Sequence, residues 1–109
     1  MKAITFLIIF GVVIFAAFLI TSKGEETSNE VAKCIGENSI LYTQLGCHAC
    51  ETQKDLFGES YQLLNKIDCY YNPEKCIDTN ITATPTWIIN GEKYVGVQSI
   101  EELKELTNC

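Results

Sequence analysis

The chain has 109 residues, 14 of them acidic and 8 basic, for a net charge of −6. That length holds one domain at most, and that charge argues against a nucleic-acid or anionic-membrane surface. Six cysteines in so short a chain point to export into an oxidising compartment.

Residues 3–20, "AITFLIIFGVVIFAAFLI", carry no charge. As a helix, about 18 residues span roughly 27 Å, close to the hydrocarbon thickness of a bilayer. A cleaved signal peptide has a shorter apolar core, about 7–15 residues, ending in a small-x-small site. Here Ala16-Ala17 runs on into Phe18, Leu19 and Ile20, so the expectation is one uncleaved membrane-spanning anchor over 1–21. Residues 22–38 are polar, show no clear apolar period and read as a tether. The domain proper is then 39–109, small enough for covalent staples to help.

Within it, "SILYTQLG" is rich in β-formers and reads as a strand ending at Gly46. A helix follows from Cys47, with Ala49, Leu56 and Phe57 on its apolar face and Gly58 closing it. "YQLLNKIDCY" ends in an Ile67/Cys69 alternation that favours a strand. Asn72 and Pro73 stand at the N-cap and first position of a short helix. Two β-rich runs flank Asn90-Gly91, a strong hairpin signal. Ser99 and Glu102 form a capping box for a last helix with Ile100, Leu103 and Leu106 on one face. The order is strand, helix, strand, short helix, strand, hairpin strand, helix, which makes the fold class α/β, after a single N-terminal transmembrane helix.

Cys47 and Cys50, in "GCHAC", admit three readings. A structural zinc site wants four ligands, but no second close cysteine pair accompanies this one, and His48 is the sole histidine; no metal is expected. A disulfide across two residues closes a tiny loop and is a poor staple. A redox pair needs a strand before it and a helix opening at it. The helix start then stabilises the first sulfur as a thiolate. That setting is the one predicted here, so Cys47 is the candidate nucleophile and Cys50 the resolving thiol. His48 either adds positive charge beside the thiolate or is a bystander at an exposed helix start. "TATPTW" adds a second signal. Pro85 directly precedes a strand; by itself it reads as an ordinary trans proline starting that strand, but beside a C-x-x-C pair the expectation is a cis Thr84–Pro85 bond, which would set Thr84 against the cysteine pair to meet an extended substrate.

With Cys47-His48-Ala49-Cys50 after a strand, Thr84-Pro85-Thr86 before a hairpin and a terminal helix, the chain resembles the thioredoxin superfamily over about 70 residues. "CHACETQKDLFG", the "DC…EKC" pair and "PTWIINGEKYVGVQSIEEL" look like the thioredoxin-like domains associated with bacterial and archaeal vitamin K epoxide reductase homologues. That resemblance implies a small thioredoxin-like fold, a central mixed sheet flanked by helices, and a membrane-tethered thiol-disulfide oxidoreductase. Its partners would be cysteine-containing exported proteins and a quinone-linked membrane oxidoreductase of the vitamin K epoxide reductase type that reoxidises it. Its redox group would be the Cys47–Cys50 disulfide, with no other cofactor. It would sit in the cell membrane as a single-pass protein, its C-terminal domain extracytoplasmic. Gly46 replaces the tryptophan that often precedes the first cysteine, and "ILYTQLG" lacks a buried acid. A reductase or isomerase, for example in cytochrome c maturation, and a non-catalytic disulfide-stabilised module are the alternatives. Cys69 and Cys76 bracket the turn "YYNPEK" and are expected to form a structural disulfide, worth about 2–3 kcal/mol for so short a loop. Cys34 and Cys109 remain as a second couple, since the two ends of a thioredoxin-like sheet can pack near each other.

Overall fold

The computed structural model describes residues 2–21 and 27–109, with side chains only as far as residue 15 in the first helix. Helix α1 runs over Lys2–Thr21, and every described side chain on it is exposed. That described surface, residues 2–15, is about 21 Å long. Among the described residues no helix is long and apolar enough to cross a membrane.

Residues 22–26 of the expected tether lie outside the described set. The rest of it is corrected: helix α2 occupies Asn29–Glu37 and belongs to the fold. Ser28 caps it, its Oγ accepting from the Val31 N–H at 3.3 Å, and Thr27 Oγ1 donates to the Leu56 carbonyl at 3.0 Å. The buried face is Ala32, Ile35 and Gly36, with Val31 packed beside it, an apolar period at helical spacing that the tether reading passed over. A Cβ on Gly36 would collide with the Leu63 carbonyl. Gly36→Ala should therefore destabilise by about 1–3 kcal/mol, the usual cost of overpacking, seen as a lower thermal midpoint. A midpoint equal to wild type would mean that α2 is not seated there.

Strand β1 (Ile40–Thr43) leads through helix α3 (His48–Phe57) and a 3₁₀ turn (Gly58–Leu63) to β2 (Lys66–Asp68). Helix α4 (Pro73–Asp78) precedes the hairpin β3 (Thr86–Ile89) and β4 (Glu92–Val95), and α5 (Ile100–Thr107) ends the chain. The sheet order is β2-β1-β3-β4. β1 and β2 are parallel, as an α3 crossover requires, and the other two pairings are antiparallel. Asn90 and Gly91 both take positive φ, 52° and 79°, the backbone of a type I′ turn. Asn72 stands at the start of α4 without a side-chain cap bond; its amide instead donates to the Asp68 carbonyl at 3.3 Å.

The core gathers Ala32, Ile35, Leu41, Phe57, Leu64, Trp87, Ile89 and Leu103. Leu41 and Trp87 are register partners and so share a face; Phe57 meets Trp87 with ring centroids 6.0 Å apart. Leu56, expected on the buried face of α3, is exposed. Gln53 takes that place, fully buried, because the inward stripe from Cys50 runs to residues 53 and 57 at helical spacing. Lys66 lies beside Leu41 in β2. Burial, with Lys54 as a nearby cation, lowers its ammonium from the ordinary 10.5. It donates to the Tyr61 and Leu64 carbonyls at 2.9 and 3.3 Å.

Candidate active site

β1 ends at Thr43, short of the expected Gly46; Gly46 lies in the turn beyond it with φ 85°, a backbone state that costs glycine nothing, and delivers Cys47 to the start of α3. Cys47 is the N-cap rather than the first helical residue. Its Sγ accepts from the Cys50 N–H at 3.1 Å, so sulfur stands where a serine or aspartate oxygen normally caps a helix. Cys47 and Cys50 are joined as a disulfide, their Cα atoms 5.2 Å apart. Cys50 is buried beneath the half-buried Cys47. In the reduced protein the capping N–H and the positive end of the helix would face a Cys47 thiolate.

The second half of the site arrives from 37 residues away. The Thr84–Pro85 bond is cis. Thr84 Oγ1 donates to Cys47 Sγ at 3.4 Å, and the Thr84 carbonyl oxygen lies 3.5 Å from the same sulfur. Pro85 is buried, and its carbonyl accepts from the Gly96 N–H at 2.8 Å. His48 is the exposed first residue of α3, and its ring has no hydrogen bond among the described residues.

The other cysteines are paired as well. Cys69–Cys76 and Cys34–Cys109 have Cα separations of 5.7 and 6.0 Å, inside the range disulfides span. The first lies next to the site: Asp68 Oδ1 accepts from Leu45 N at 3.2 Å and Tyr70 N at 2.8 Å. That carboxylate ties the loop before Cys47 to the loop after β2.

Two residues, Gln53 and Gln98, carry no signal of their own in the sequence that would place them behind the site. The buried Gln53 Oε1 accepts from Trp87 Nε1 at 3.0 Å and from Gln98 N at 2.8 Å, and its Nε2 donates to the Gln98 carbonyl at 3.0 Å. The one available hint was a polar side chain three residues past Cys50, on the inward face of the helix.

No protein-family model matches the sequence. Among solved structures, the oxidised thioredoxin of Plasmodium falciparum superposes at a TM-score of 0.49, with 21% identity over 75% of this chain and 90% of that one. A mutant of the alkylhydroperoxide reductase protein AhpF from Enterococcus faecalis superposes at 0.50, with 19% identity over 77% of this chain and 46% of that one. On this chain's own elements, the mixed sheet, the cysteine pair at the start of α3 and the cis-proline before β3, the fold is thioredoxin-like. In sequence, the chain is 35% identical over 82 residues to the thiol-disulfide oxidoreductase LTO1 of Arabidopsis thaliana, a match taking in 64% of this chain. It spans 22% of that relative, so the likeness concerns one segment of a longer protein. This thioredoxin-like domain thus holds a C-x-x-C disulfide and has a relative named for thiol-disulfide exchange.

Proposed function

We propose that this chain is a thiol-disulfide oxidoreductase that oxidises cysteines of exported proteins through Cys47–Cys50. One observation carries the reading: Cys47 Sγ caps α3, with the Cys50 N–H at 3.1 Å and the Thr84 hydroxyl at 3.4 Å aimed at it. A client thiolate attacks Cys47 Sγ, the Cys47–Cys50 bond breaks, and Cys50 leaves as a thiolate that takes up a proton. A second client thiolate then attacks the client sulfur of the mixed disulfide and releases the Cys47 thiolate. The client loses two electrons and two protons, and the cysteine pair gains them. Donors that stabilise the Cys47 thiolate stabilise the reduced form and make the disulfide a better oxidant. In this reading Thr84 and Pro85 receive the client backbone, and the two other disulfides are structural.

The finer parts of the proposal are a membrane tether, an extracytoplasmic domain and a membrane partner. The uncharged run 3–20 and the exposed isoleucines, leucine and phenylalanines of α1 support the tether, since an apolar surface of that kind needs a partner or a lipid phase. Six paired cysteines support an oxidising compartment. The motifs shared with domains associated with vitamin K epoxide reductase homologues support reoxidation by a quinone-linked membrane enzyme of that type.

The oxidised full chain, mixed with a reduced dithiol peptide, should transfer its disulfide, leaving two new thiols on the chain that map to Cys47 and Cys50. Equilibrated with glutathione, it should settle nearer the roughly −120 mV of strong oxidants than the roughly −270 mV of thioredoxin. A value at the lower end would make it a reductase, and no transfer at all would leave a disulfide-stabilised binding module. Release from membranes by alkaline carbonate would remove the anchor from the proposal.

A further inference from the structure

We infer that Gln53 is a positioning residue for the proposed exchange, holding the helix that carries Cys47 and Cys50 in register with the Thr84–Pro85 loop. The inference rests on the redox reading above and concerns what keeps its two halves together. Those halves come from distant parts of the chain, and the contacts that join them at the sulfur are two hydrogen-bond-range approaches to Thr84, 3.4 and 3.5 Å. Such contacts do not hold a helix in place by themselves, because sulfur is a weak hydrogen-bonding partner. Behind the disulfide lies a stronger joint. Gln53, one turn beyond Cys50 on the same face of α3, is bonded to both backbone groups of Gln98 and to the indole of Trp87. Gln98 in turn reaches back, its Nε2 lying 3.4 Å from the Val95 carbonyl and 3.3 Å from that of Gly96. The Gly96 N–H holds the Pro85 carbonyl at 2.8 Å, and Pro85 follows Thr84. The chain of contacts is therefore closed: Cys50, Gln53, Gln98, Gly96, Pro85, Thr84, Cys47.

A buried amide is suited to this task. It offers two acceptor positions and donors on one rigid plane, so it meets three partners from two elements only at one rotation and depth of α3. An apolar side chain of equal length would fill the space and leave that rotation free. Both lone-pair positions of Oε1 are used here, and among the described residues no buried side-chain polar atom lacks a partner.

The test uses the full chain in detergent and two variants. Gln53→Met keeps length and adds no charge. Gln98→Ala keeps the backbone partner but removes the brace to Val95 and Gly96, and its half-buried site makes it safe for folding. Each variant is compared with Ile35→Val, a core change outside the ring of contacts. The readouts are the pH profile of Cys47 alkylation in the reduced protein and the equilibrium constant with glutathione. In Gln53→Met the midpoint of the profile should rise by about one pH unit and the disulfide should become about tenfold less oxidising. Gln98→Ala should move both in the same direction by less. Ile35→Val should lower the thermal midpoint and move neither. In a Thr84→Ala background the Gln53→Met shift should shrink, because the two residues act on one sulfur. If both ring variants are folded and leave the profile and the constant at wild-type values, Gln53 is a core residue only and the inference is overturned. Failure of the underlying redox reading looks different: wild type itself would then show no exchange with glutathione.

Discussion

Cys50→Ser should accumulate a mixed disulfide through Cys47 when the chain meets a disulfide-containing client peptide, about one adduct per chain, while Cys47→Ser should form none. Turnover of the reduced dithiol peptide should fall to background in both. The asymmetry follows from the geometry. Cys47 is the half-buried cap of α3 with two donors on its sulfur, and Cys50 is buried beneath it. The more accessible sulfur exchanges, and the buried one resolves the adduct because only two residues separate them. Removing the resolving thiol leaves the first step intact and blocks the second. Non-reducing electrophoresis followed by mass mapping checks the result. Adducts on Cys47→Ser, or none on Cys50→Ser, would reverse or remove the assignment of nucleophile.

The largest effect on stability should come from the Cys34–Cys109 bond. It closes a separation of 75 residues, nearly the whole domain. In the chain-entropy account, losing a cross-link of that span costs about 4–5 kcal/mol. For a domain of this size that corresponds to a fall in the thermal midpoint of roughly 20–35 °C. The bond joins α2 to the end of α5, two elements that also meet at the core through Ala32, Ile35 and Leu103. The variant to use is Cys34→Ala/Cys109→Ala, since a single replacement leaves a thiol free to attack the site. Circular dichroism melts of the oxidised proteins give the comparison. A fall of only a few degrees would mean that the α2–α5 packing holds the ends together unaided.

The sequence by itself determined the elements whose signals are local. Asn90-Gly91 is a hairpin because both residues tolerate positive φ. Ser99 starts α5 because its hydroxyl reaches the Glu102 N–H, here at 3.1 Å. Gly46 followed by Cys47 marks the passage from β1 to α3, and the position of the cysteine pair at a helix start follows from that alone. Helix α2 carries a signal as local as these, Ser28 at its N-cap followed by Val31, Ala32 and Ile35 at helical spacing, but the need for Gly36 is tertiary, because only the packed 3₁₀ turn brings the Leu63 backbone against it. Gln53 was silent: an amide on a helix reads as solvated until Trp87 and Gln98, 34 and 45 residues away, bring it partners. The meeting of Thr84 with Cys47 also belongs to the tertiary structure. Only the crossing of β3 beside β1 puts the proline loop against the start of α3, and that apposition depends on which strands pair, a choice made by the burial of Leu41, Trp87 and Phe57 together and by no short segment on its own.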